Sequence, residues 1–106
     1  MKLSDRLITS DPLQKEAWIR VVSERETVPE LFVLCVSGRA SYTAEIYSTK
    51  ELYKAVSDEQ DGGLIIIGIA DSYGAAVTLF QNAVEGALVR DPGLKALKND
   101  LKELYA

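Results

Sequence analysis

The chain has 106 residues, 47% of them hydrophobic and 26% charged, with 12 basic and 16 acidic side chains giving a net charge of −4. That length supports one domain with one modest core, without help from disulfides or metal. No apolar run approaches the roughly 20 residues a membrane span needs, there is no histidine, and there is one cysteine; this sets aside imidazole catalysis, Ser-His and Cys-His nucleophile pairs, and a histidine- or cysteine-built zinc site.

The charge distribution narrows the partners further. Between Lys54 and Arg90 there is no Lys or Arg, whereas Asp58, Glu59, Asp61, Asp71 and Glu85 all fall in that window. A phosphate backbone rewards a dense basic face, so a nucleic-acid partner is not expected. The first residues, MKLSDRLITSD, mix charges and hydroxyls instead of leading from a basic stretch into an apolar one, and do not read as a secretion signal. Cys35 sits alone in the apolar run LFVLCVSG and reads as a small core residue in a reducing compartment. The expected location is cytoplasmic.

In chain order, the first punctuation is DPLQ at 11–14. Asp11 is a candidate N-cap, Pro12 suits the first helical position and Gln14 completes a capping-box pattern. The helix expected there buries Leu13, Ala17, Trp18, Val21 and Val22, with Lys15, Glu16, Arg20 and Glu24 outward, and Pro29 closes it. ELFVLCVSG then reads as a strand covered on both faces. After a turn around Gly38, SYTAEIYS alternates, with Tyr42, Ala44 and Ile46 on one side and Thr43, Glu45 and Tyr47 on the other. That is a half-exposed second strand in a hairpin with the first, and Tyr47 is expected to face solvent.

STKE at 48–51 is a second capping box, Ser48 answering Glu51, and opens a short helix that ends at Gly62-Gly63. LIIIGIA at 64–70 is the third expected strand. A long helix follows from about 72 to 89, in which Tyr73, Ala76, Val77, Phe80, Val84 and Leu88 recur at helical spacing while Ala75, Leu79, Ala83 and Ala87 widen the stripe. So wide a stripe implies burial on more than one side. DPG at 91–93 repeats the helix start, and Leu94, Leu97, Leu101 and Leu104 form a narrow seam, as on a docked terminal helix.

The expected fold is a single globular α/β (α+β) domain over residues 1–106, in the element order α-β-β-α-β-α-α. Its three-stranded mixed sheet has the strand order 2-1-3 and is covered by helices. This order leaves the very apolar third strand at an edge, and such an edge invites covering by other segments or pairing with another chain.

Two functional readings follow. The first is a non-enzymatic binding module that self-associates, and that also accepts another protein as partner. Ile65, Ile67, Tyr47, Leu97 and Leu101 are its candidate interface residues. The second is a small-ligand or catalytic site at the C-terminal end of the third strand, built from Asp71, Ser72 and Tyr73 with Arg39 from the hairpin turn. A strand running through glycine into a helix start can hold an anion on free N–H groups. Here, however, the Gly68 to Gly74 spacing fits no phosphate-loop pattern, no Lys follows, and Asp71 brings its own negative charge. A capped structural corner, or a neutral or cationic ligand, fits better. SDEQDGG at 57–63 lacks the oxygen ligands of a calcium loop at the required positions. No metal and no cofactor are expected.

Overall fold

The structure is a computed structural model that describes residues 2–37, 44–59 and 64–90. Its elements are strand β1 (Lys2–Thr9), a 3₁₀ turn (Pro12–Gln14), helix α1 (Lys15–Ser23), strands β2 (Phe32–Ser37) and β3 (Glu45–Ser48), helix α2 (Thr49–Glu59), strand β4 (Leu64–Ala70) and helix α3 (Tyr73–Arg90). The strands form one mixed sheet in the order β1-β4-β2-β3. The three expected strands are therefore neighbours in the expected sequence, but a fourth lies beyond them and the element order begins with a strand. The terminal helix expected from residue 91, with Leu97 and Leu101, lies outside the described residues.

The correction at β1 has a local cause. This strand runs parallel to β4, with Lys2 opposite Ile65 and Leu3 opposite Ile66, and then Ile8 opposite Gly68 and Thr9 opposite Ile69. Five steps along β1 thus match two along β4, so the extra residues swell out of the ladder. Ser4 turns the chain there by accepting, on its hydroxyl oxygen, the backbone N–H of Arg6 at 3.1 Å. The charged middle of KLSDRLIT occupies this swelling, and Leu7 returns to the interior, 1% exposed. Period-2 alternation is lost, and with it the pattern by which a strand is recognised in sequence.

Two apolar layers hold the helices to the sheet. On one face Trp18, Val21 and Val22 of α1 and Leu52 of α2 pack with Leu7, Val33, Cys35, Leu64, Ile66 and Ile69. On the other, Ala76, Leu79 and Ala83 of α3 pack with Leu34, Val36, Ile67 and Ala70. Both faces of β2 and β4 are covered, which is why their sequences are continuous apolar runs. In β4 one residue is gained against β2, since Leu34 is opposite Gly68 but Cys35 is opposite Ile66. A side chain at Gly68 would place its Cβ 3.2 Å from Leu79 Cδ1 and 3.4 Å from Leu34 Cβ, so this glycine sets how closely α3 approaches the sheet.

Helix ends follow the sequence signals in part. Asp11 accepts the Leu13 N–H at 3.0 Å, but it starts the 3₁₀ turn, and α1 proper begins at Lys15. Leu13 is 92% exposed and Ala17 is exposed as well, so neither belongs to the buried stripe expected of them; the tight turn rotates Leu13 off the helical face. At the other end Arg25 takes a positive φ of 54°, with its N–H on the Val22 carbonyl and the Glu26 N–H on the Val21 carbonyl. This is the 6→1 and 5→2 closure that normally uses glycine. The Tyr53 hydroxyl of α2 then donates to the Glu26 carbonyl at 2.6 Å and ties α2 to that closure. The capping box at α2 is formed as expected, with Ser48 N–H to Glu51 Oε1 at 3.1 Å and Glu51 N–H to Ser48 Oγ at 3.3 Å.

Candidate functional site

The parallel ends of β1 and β4 meet beside the start of α3, and it is here that the sequence places Asp71, Ser72 and Tyr73. Ser72 is the cap of α3, its Oγ accepting the Ala75 N–H at 3.1 Å and its carbonyl the Ala76 N–H at 3.0 Å. Asp71 donates its backbone N–H to Ser10 Oγ at 3.3 Å, and the Ser10 hydroxyl approaches the Asp71 carboxylate at 3.5 Å. The backbone N–H of Ser10 in turn donates to the Ile69 carbonyl at 3.1 Å. The polar atoms of this corner thus fasten β1 to β4 and start a helix. Arg39 lies outside the described residues.

Tyr73 behaves differently from its two neighbours. It is 59% exposed, and its ring meets that of Phe32 edge to face, with centroids 6.2 Å apart and planes at 84°. It also forms one end of an open groove of about 400 Å³ between α3 and the β2–β3 side of the sheet. Leu34 is the floor, Ala44, Glu45 and Ile46 form the β3 side, and Tyr73, Val77 and Phe80 form the helix side.

The groove follows from layer geometry. Four strands at about 4.8 Å spacing make a sheet roughly 19 Å wide, while a helix with its side chains is about 10 Å across. On this face α3 is the described helix. It rests its Ala76, Leu79 and Ala83 stripe on the sheet and leaves Tyr73, Val77 and Phe80, at steps of four and three, leaning over β3. This second stripe is the signal in the sequence that could have found the groove: the apolar face of residues 72–89 is too wide for one contact. The floor was not legible, because Leu34 and Ile46 become neighbours through strand pairing.

The charge on β3 belongs to the α1–α2 face, which Cys35 and Tyr47 share. Glu45 pairs in register with Cys35, and the Tyr47 hydroxyl donates to the Glu45 carboxylate. Burial pushes the Cys35 thiol far above its ordinary range, and the Glu45 carboxylate adds to the shift, so this cysteine is held as an inert, neutral core group. Tyr47 is half-buried against the α1–α2 layer and does not stand out into solvent as the alternation suggested. Of the other two described interface candidates, Ile67 is 0% exposed and belongs to the chain's own core, while Ile65 is half-buried against the α3 layer. Their selection rested on β4 being an uncovered edge, and β1 pairs along that edge.

Among the described residues no group of three or more His, Cys, Asp or Glu could hold a metal ion, and no helix is long and apolar enough to cross a membrane. Compared with known proteins, the chain matches no family model, no curated protein and no solved structure. The groove and the two sheet edges carry the functional reading.

Proposed function

We propose that this chain is a small non-enzymatic association module that acts by binding, chiefly to a second copy of itself, in a reducing, cytoplasmic setting. The observation that carries the reading is the groove between α3 and β3. It opens to solvent, it is lined by apolar side chains of β2, β3 and α3 together with Glu45, and its rim holds the exposed Tyr73. Rigid amphipathic tyrosines are favoured at interfaces. Support also comes from what surrounds it. The hydroxyl and carboxylate of the Asp71-Ser72 corner are engaged in capping and strand fastening, and the sequence has no histidine to act as a base. Sedimentation at micromolar concentration is expected to give a mass above that of one chain; a single-chain mass throughout would overturn the proposal.

A second reading is favoured by one observation, the groove's volume. About 400 Å³ lies within the range of small-ligand sites, and Tyr73 from the originally expected corner lines it. Its mixed lining asks for an uncharged molecule that carries both an apolar body and polar groups. A thermal-shift screen of such compounds is expected to find a stabiliser that Val77→Asp abolishes; the absence of any stabiliser removes this reading.

A further inference from the structure

The two edges of the sheet are built differently. β1 carries the exposed charges Lys2, Asp5 and Arg6 and swells out of register, which are the devices by which natural sheets discourage edge pairing. β3 has no Lys, no Pro and no register shift: Phe32, Val33, Leu34 and Cys35 face Ser48, Tyr47, Ile46 and Glu45 in unbroken order. Among the described strands it is the sheet's other edge, and the groove runs beside it on the α3 face.

We propose that two copies of the chain join through β3, antiparallel and about a two-fold axis at Ile46, to give one continuous eight-stranded sheet. The inference rests on the self-association proposed above and names its surface and register. A two-fold axis normal to the sheet maps each face onto itself. Because opposed residues in an antiparallel pair share a face, the axis must pass beside a residue and not between two. Four centres are available within β3, and an axis at Ser48 opposes only Ser48 to its own copy. An axis at Glu45 sets two carboxylates directly opposite each other, which is unfavourable. An axis at Tyr47 carries Glu45 past the end of the opposing strand. The axis at Ile46 sets Ile46 against its own copy beside the groove, and sets Glu45 opposite the partner's Tyr47, a hydroxyl donor facing a carboxylate. The same two groups already bond within one chain. The strand is only four residues long, so few backbone hydrogen bonds form, and the paired isoleucines beside Leu34 and Phe80 supply the apolar part of the contact.

The register gives the test. Cα atoms directly opposed in an antiparallel ladder lie about 4.5–5.5 Å apart, within disulfide reach, while diagonal neighbours lie at about 7–8 Å, beyond it. Ile46→Cys is expected to form a covalent dimer under mild oxidation, and Tyr47→Cys, whose copies are diagonal, to remain a single chain on a non-reducing gel. The buried Cys35 does not compete. Ile46→Lys is expected to lower the sedimenting mass from two chains to one while the far-ultraviolet circular dichroism is retained. If Ile46→Lys fails to fold, the cross-linking pair decides alone. Equal cross-linking of the two cysteine variants, or none by Ile46→Cys, overturns the register. A wild-type assembly that a folded Ile46→Lys leaves intact overturns the β3 surface but not self-association, whereas a monomeric wild type overturns both.

Discussion

The β1 and β3 edges of this sheet border the same interior and solve the edge problem in opposite ways. β1 is long, charged and irregular, anchored by one buried leucine and by the Ser10–Asp71 contacts at its end. β3 is short and regular, with one carboxylate, Glu45, and half-buried side chains along its whole length. An edge strand is kept from pairing by sequence devices or left to pair; β1 carries charges and a register shift, while β3 has only its shortness and one carboxylate. The difference also explains what happened to the apolar strand at 64–70, whose composition demanded a cover. Its cover is the segment of the chain that looked least like a strand.

The largest expected effect removes the anchor of the guarded edge. Leu7→Ala deletes a fully buried side chain, and such truncations cost about 2–5 kcal/mol. Urea unfolding is expected to show a loss in that range. Because β1 then holds less firmly and β4 offers its apolar edge, the variant should also sediment as larger species than the wild type. A loss below about 1 kcal/mol would mean that β1 is not an integral strand.

A smaller effect is expected where β3 passes into α2. Ser48→Ala removes the hydroxyl that accepts the Glu51 N–H, and a lost cap costs about 1 kcal/mol. The backbone pairing of β3 is untouched by this change. The variant should therefore lose thermal stability while keeping its mass in sedimentation, which separates the stability of the strand's end from the use of its edge. A change in mass without a change in stability would reverse that assignment.

The smallest effect is a pH dependence confined to the same junction. The backbone N–H and then the hydroxyl of Ser48 hold the Glu51 carboxyl below its ordinary range. A group depressed in the folded state binds fewer protons folded than unfolded. Its contribution is complete above the ordinary glutamate range and is lost as pH falls through the lower folded value. Glu51→Gln is expected to flatten the melting temperature's dependence on pH in that acidic window, with little change at neutral pH. An unchanged acid slope would remove Glu51 as its source.

Much of the α2–β4–α3 half was legible because its signals are local. The capping box at Ser48 and Glu51, the apolar run of β4 and the capped corner before α3 each depend on residues close in sequence or on a pattern of fixed period. The misreadings cluster where structure depends on a distant partner. Leu13 lies off the helical stripe because the chain makes a 3₁₀ turn before α1. Tyr47 is half-buried because the α1–α2 layer reaches over β3. Ile67 is core and not interface because β1 and α3 cover β4. In the candidate site, Tyr73 was found from its position at a helix start, but its groove neighbours Leu34, Ile46 and Phe80 come from three elements and share no local signature.

By itself the sequence determined the mixed α/β class, the strand at 32–37 covered on both faces, the helix caps, and the absence of any histidine chemistry. All of these follow from composition, from periodicity, or from hydrogen bonds closed within four residues. Only the tertiary structure decided that residues 2–9 form a strand, that β4 is interior, and that β3 is the other edge among the described strands. The physical reason is that a strand completes its backbone hydrogen bonds on another segment of chain, so its position in a sheet, and with it which edge remains exposed, is a property of the pairing and not of the strand.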